Sequence, residues 1–170
     1  MFTRIDHVGI ACRDLEDRID FYRSTFGLVV ASREIHEDQG VREAMLRVPA
    51  AGPGGGAEAA RGGAEAAGGG AEAAGGGAAP VPASYIQLLE PLHPDTPVGR
   101  FLARRGEGLH HVGYGVADIE NALAEIGATG VRLLDERPRH GSMGASIAFL
   151  HPADVGGVLT ELVEAPATRE

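Results

Sequence analysis

The chain has 170 residues and a formal net charge of -9, and all fifteen of its cationic residues are arginine, so it contains no lysine. That excludes Schiff-base chemistry on a lysine and any phosphate loop that needs a terminal Lys. A single cysteine, Cys12, excludes an internal disulfide, a thiolate-only zinc site and a protein-held iron–sulfur cluster, so any chemistry must come from His, carboxylate, amide, hydroxyl and Arg.

In chain order, residues 5–11 form a short β-type run, and Asp14 is placed to cap a helix. Leu15, Ile19, Tyr22 and Phe26 recur at helical spacing, and Gly27 supplies a left-handed stop. Three strand-like stretches follow, over 28–35, 41–48 and 84–89. Between the last two, residues 51–80 hold twelve of the 26 glycines in a GGGAEAA-like repeat without a large apolar side chain, which predicts a flexible surface insertion. Thr96-Pro97 opens a linking helix over 96–105, with Val98, Phe101 and Leu102 on one side. A second strand over 109–116 leads to Asp118 and a helix marked by Ile119, Leu123 and Ile126, with Gly127 and Gly130 near its end. Strands over 131–134, 145–150 and 158–163 complete the chain.

The two halves repeat. IDHVGIACRDLEDRI from Ile5 matches LHHVGYGVADIENAL from Leu109 at an offset of 104 residues, and the same offset carries Ala44-Met45-Leu46 onto Ala148-Phe149-Leu150. Removing the thirty residues of the insertion brings Ile86-Gln87-Leu88-Leu89-Glu90 onto Thr160-Glu161-Leu162-Val163-Glu164. The order βαβββ therefore occurs twice in one α+β domain over 1–164, with module one at 1–92, the linking helix, module two at 108–164 and a tail at 165–170.

Strand alternation puts His7 on one face with Ile5, Gly9 and Ala11, leaving Val8 and Ile10 for the helix. His111 faces as His7 does, beside Gly113 and Gly115, and His110 points to the opposite side. Gln87 and Glu161 are the corresponding polar residues of the last strands. If the modules curve around a shared pocket, His7, Gln87, His111 and Glu161 converge as donors for a divalent first-row metal, with open positions for water or substrate. His36, His93, His140 and His151 lack such support and read as loop or rim residues. Glu43 shares a face with Val41 and Met45, opposite an apolar face of Ala44, Leu46 and Val48; its repeat partner is Ile147, so one module carries an acid where the other carries an aliphatic.

DHVGIAC, DQGVREAML, IQLLEPL, GEGLHHVGYGV and GVLTELVE together resemble the vicinal oxygen chelate superfamily, whose paired βαβββ modules form a cup-shaped mixed sheet around a metal. Within it the likeness is to the methylmalonyl-CoA epimerases. The resemblance implies metal ligands at His7, Gln87, His111 and Glu161, the catalytic glutamate at Glu43, a divalent ion (Co2+ first, with Mn2+, Ni2+, Zn2+ or Fe2+ as alternatives), an acyl-CoA substrate and a homodimer. Moving a proton between the two faces of C2 calls for two acid/base groups, and Glu161 is the candidate beside Glu43. A glyoxalase I-like isomerase and a metal-free small-molecule-binding protein of the same fold are the rival readings.

The acidic balance disfavours nucleic acid or an anionic membrane as partner. No apolar stretch approaches the ~18 residues of a membrane span, residues 1–6 lack an export signal, and the lone cysteine fits the cytoplasm.

Overall fold

The computed structural model describes residues 1–49 and 83–166. The expected insertion at 51–80 and the end of the tail, 167–170, lie outside the described residues. The elements are β1 (Phe2–Ala11), α1 (Leu15–Phe26), β2 (Val29–His36), β3 (Val41–Arg47), β4 (Tyr85–Pro91), α2 (Pro97–Arg105), β5 (Gly108–Val116), α3 (Ile119–Ala128), β6 (Arg139–His140), β7 (Ser146–Leu150) and β8 (Leu159–Glu164). Among the described residues no helix is long and apolar enough to cross a membrane.

The helix ends follow the local chemistry. Asp14 accepts a hydrogen bond from the Asp17 N–H at 3.0 Å, and Asp118 accepts one from Asn121 at 2.8 Å, each satisfying an amide that the first turn leaves unpaired. Gly27 stops α1 at φ +68°, donating its N–H back to the last turn. Thr96 caps α2, with Pro97 in its first turn.

All eight strands form one sheet in the order β2-β3-β4-β1-β5-β8-β7-β6. The first strands of the two modules, β1 and β5, pair antiparallel at its centre, and each is flanked by the last strand of its own module in parallel, β4 beside β1 and β8 beside β5. Each module buries the same apolar set between sheet and helix. Cys12, Leu15, Ile19, Ala44, Leu46 and Leu88 form the core of the first, and their repeat equivalents Val116, Ile119, Leu123, Ala148, Leu150 and Leu162 form that of the second. With α1 and α3 filling one face, the polar strand residues are left to the other. The linking helix seats Val98 and Leu102 against Ala11, Val41 and Leu89, with Phe101 half-buried at the edge.

The repeat breaks at the outer edge of module two. Residues 131–134, expected as a strand, form only an isolated bridge between Leu133 and Leu150, and the two-residue β6 occupies that edge instead. The cause is a side chain that replaces a ladder bond: Asp135 accepts from the Phe149 N–H at 2.9 Å, and Pro138 has no N–H to offer. Val48 lies beyond the end of β3 and is exposed, so it does not join Ala44 and Leu46 in the core.

Leu46 is completely buried and its equivalent Leu150 is 2% exposed. Truncating either to Ala should cost about 2–5 kcal/mol, whereas Ile35→Ala at an exposed strand position should stay within about 0.5 kcal/mol; equal midpoints for all three in urea denaturation would contradict this core.

Candidate active site

The central seam fixes the site. His7 lies opposite Gly113 and His111 opposite Gly9 in the β1–β5 register. A Cβ built on Gly9 would lie 2.6 Å from His111 Nε2, and one on Gly113 would lie 2.6 Å from His7 Nδ1. Each imidazole therefore rests on the other module's glycine, which accounts for the spacing in both HVG motifs. The rings meet with their Nε2 atoms 3.0 Å apart, and Glu161 from β8 brings Oε2 to 2.8 Å from His7 Nε2 and 3.3 Å from His111 Nε2. All three side chains are buried.

Two of the three register shifts in the seam change the expected facing. The register skips one residue between Ile5 and His7 and another between Leu109 and His111, so Asp6 and His110, themselves repeat equivalents, each supply the extra residue. Asp6 is buried with Oδ1 3.2 Å from His7 Nδ1, while Ile5, expected beside His7, is 57% exposed. His110 does not point to the opposite side. Its Nδ1 lies 3.0 Å from His111 Nδ1, and its ring sits against Phe101. Strict alternation misses both residues, because nothing in the one-dimensional pattern marks an inserted residue in a strand of normal composition. Arg4 holds the other oxygen of Asp6, with Nε 3.0 Å from Oδ2.

Beside this cluster is a second one. Glu43 on β3 is 3% exposed; its Oε2 accepts from Gln87 Nε2 at 2.8 Å, and its Oε1 accepts from the Ser142 hydroxyl. The same hydroxyl accepts from Gln87 Nε2 at 3.0 Å. Ser142 was not foreseen: it lies in the irregular segment between β6 and β7, and its repeat equivalent, in the turn after β2, is Asp38, so the offset did not mark a shared residue there. Burial pushes the Glu43 carboxyl upward, against the lowering effect of the Ser142 hydrogen bond and of the nearby His36. His36 is not a rim residue: it ends β2, is 9% exposed and points Nε2 at Glu43 Oε1 from 3.3 Å. His93 and His140 are exposed and His151 half-buried, as expected of loop and rim positions.

A cavity of about 300 Å³ is lined by Glu43, Gln87, His110, His111, Ile147 and Glu161 among others. A neighbouring one of about 240 Å³ reaches Asp6, His7 and Met45, and Ser142, Ile147 and Glu161 border both. Glu43 and Ile147, equivalent by the repeat, thus line one cavity as its acid and its aliphatic wall.

The donor set fits a divalent cation. With their Nδ1 atoms engaged by Asp6 and His110, the two imidazoles direct Nε2 at each other and at a carboxylate, an arrangement that needs a shared positive charge. Gln87 Oε1 and Glu161 Oε2 are both buried with no aligned hydrogen-bond donor among the described residues. The bonds of Gln87 Nε2 to Glu43 and Ser142 orient the amide so that the oxygen is the free end. Cys12 offers no alternative ligand, because burial pushes its thiol up to about 12.

Residues 4–162 match the model of the Glyoxalase/Bleomycin resistance protein/Dioxygenase superfamily. The chain belongs to that superfamily. It is similar to a methylmalonyl-CoA epimerase solved in complex with methylmalonyl-CoA and NH4+, at 45% identity over 100% of this chain and 99% of the other, with a TM-score of 0.78. A variant of the Streptomyces coelicolor methylmalonyl-CoA epimerase, in complex with 2-nitronate-propionyl-CoA, shows 44% identity, covers 100% of this chain and 99% of its own, and has the same TM-score of 0.78. The ethylmalonyl-CoA/methylmalonyl-CoA epimerase of Cereibacter sphaeroides is 30% identical, over 95% of this chain and 98% of its own. Within the superfamily architecture, the paired first strands of this chain bring together residues from both modules, which no single module could supply.

Gly113→Ala should push the His7 ring from its seat and lower bound divalent metal several-fold while the chain still folds; unchanged stoichiometry by elemental analysis would contradict the role of the glycine. Burial disfavours charge on His7, but the carboxylates of Asp6 and Glu161 beside the ring raise its pKa to about 9. In the metal-free chain the resulting ion pair is fully stabilising below the ordinary histidine range and is lost as pH rises through about 9. A metal ion must displace that proton, so its affinity should climb roughly tenfold per pH unit up to that value and then level off. Competition titrations with a coloured chelator check the slope, and an affinity that does not change with pH would contradict it.

Proposed function

We propose that this chain is a methylmalonyl-CoA epimerase, interconverting the (2R) and (2S) thioesters by taking the C2 proton from one face and returning one to the other. The observation that carries the reading is Glu43, a carboxylate buried in the cavity wall with its pKa raised, facing the same space as the candidate metal ligands. Similarity to epimerases solved with methylmalonyl-CoA and with 2-nitronate-propionyl-CoA supports the substrate class.

Glu43 is the base for one face. Gln87 and Ser142 fix the orientation of its carboxylate, and burial makes its conjugate acid easier to form. His7, Gln87, His111 and Glu161 would hold a divalent ion, which when bound supplies Lewis-acid stabilisation for negative charge developing on a substrate oxygen. Asp6 holds His7 in the tautomer that leaves Nε2 free, and His110 does the same for His111. Apolar walls from Ile147 and Phe149 exclude water from the carbon that becomes basic. Glu161, contributed by the other module, is assigned to the opposite face of C2. The reading takes Co2+ as the preferred ion and a homodimer as the assembly from the family resemblance, and the cytoplasm as the location from the lone cysteine.

Glu43→Gln keeps the size and shape of the side chain but not its proton transfer. The variant should retain its metal and lose about 100- to 10,000-fold in turnover, followed as loss of optical rotation of methylmalonyl-CoA. Normal turnover would sink the assignment.

A further inference from the structure

A two-base epimerase has to reset. A turnover that begins with Glu43 ionised and the opposing group protonated ends with the charges exchanged, and Glu43, 3% exposed, has little water from which to recover. Behind it is a chain of groups that the reaction itself does not use. His36 brings Nε2 to 3.3 Å from Glu43 Oε1 and 3.5 Å from Glu34 Oε2, and this buried nitrogen forms an aligned hydrogen bond with no group among the described residues. A polar atom left between two acceptors, and committed to neither, needs only a small ring tilt to serve each. Glu34 in turn is 28% exposed at its side chain, so its carboxylate meets solvent. Its other oxygen, Oε1, accepts from the Met143 N–H at 2.8 Å, and the adjacent Ser142 donates to Glu43. One short segment therefore anchors both ends of the path.

We propose that His36 and Glu34 form a proton exit from Glu43 to solvent; the inference rests on the epimerase reading. The C2–H bond breaks with its electron pair left on the substrate, and the proton goes to Glu43. It passes from Glu43 Oε1 to His36 Nε2, giving an imidazolium, then from that nitrogen to Glu34 Oε2, and from Glu34 to water. The same steps in reverse reload Glu43 when it serves as the acid. His36 and Glu34 touch no substrate atom; they restore the protonation state of a group that does. The carboxylate Glu34 and the imidazole of His36 both belong to β2, which pairs with β3 so that Glu34 lies opposite Glu43 in the register.

The test is deuterium wash-in. Metal-loaded protein is incubated with one epimer of methylmalonyl-CoA in deuterated water, and the unconverted substrate is recovered early and analysed at C2. Wild-type protein should return deuterium in recovered substrate, because the proton on Glu43 escapes before it can be handed back. His36→Gln, which keeps a polar side chain but cannot carry a proton onward, should lower that wash-in about tenfold with metal content, melting temperature and KM unchanged. Glu34→Gln should lower it in the same direction. A folded His36→Gln or Glu34→Gln protein with wild-type wash-in overturns the exit, as does a variant that loses turnover while wash-in stays normal, since that pattern belongs to simple positioning of Glu43. Absence of deuterium at C2 in both substrate and product of the wild type would instead remove the epimerase reading on which the exit rests.

Discussion

Everything at this site depends on the approach of two imidazoles across the seam between the modules. His7 and His111 bring Nε2 atoms to 3.0 Å, with a carboxylate oxygen beside both. Neutral imidazoles in this orientation turn lone pairs toward each other, a position that only a proton or a metal ion makes favourable. Several otherwise separate features serve that approach. Glycines at Gly9 and Gly113 clear the space for the rings, the bulges at Asp6 and His110 bring a partner to each Nδ1, and the parallel pairing of β8 with β5 places Glu161 next to both.

Duplication built the frame, and departures from it created the chemistry. The apolar cores of the two modules agree position by position, from Leu15 and Ile119 to Leu88 and Leu162. Of the polar positions, His7 and His111 agree and three others do not. Gln87 stands where module two has Glu161, Asp6 where it has His110, and Glu43 where it has Ile147. The first substitution leaves a neutral amide whose N–H2 end holds Glu43, and the last leaves a buried acid facing an aliphatic wall. A symmetric cup would line both of its halves with identical groups. This one does not, and Glu43 and Glu161 differ in pKa: burial pushes Glu43 up, while the flanking histidines hold Glu161 down against the same effect.

Much of the fold was legible because the repeat checks itself. Helix caps at Asp14 and Asp118 and six of the eight described strands follow from spacing that appears twice, while β2 and the linking helix were legible from local signals alone. The expected strand over 131–134 failed because Asp135 takes a ladder hydrogen bond with its side chain, a competition that propensity does not register. Among the candidate site residues, His7 and His111 could be read from alternation and the 104-residue offset, Gln87 and Glu161 once the insertion is removed, and Glu43 from its contrast with Ile147 together with the family resemblance. Asp6, His110 and His36 could not. The first two depend on bulges that shift facing by one residue, and His36 depends on the turn after β2 bringing the strand end against Glu43. Ser142 comes from an irregular segment where Met143 adopts φ +55°, and its equivalent in module one is Asp38 in a turn, so neither strand pattern nor a shared residue pointed to it.

The measurement that addresses the shared cation most directly is X-ray absorption at the cobalt edge of the Co2+-loaded protein. Ligation by His7 and His111 through Nε2, with Gln87 and Glu161 completing the protein donors, requires outer-sphere scattering from two imidazole rings over a mixed nitrogen and oxygen inner sphere. A spectrum with oxygen neighbours alone, or with the scattering of a single imidazole, would contradict it.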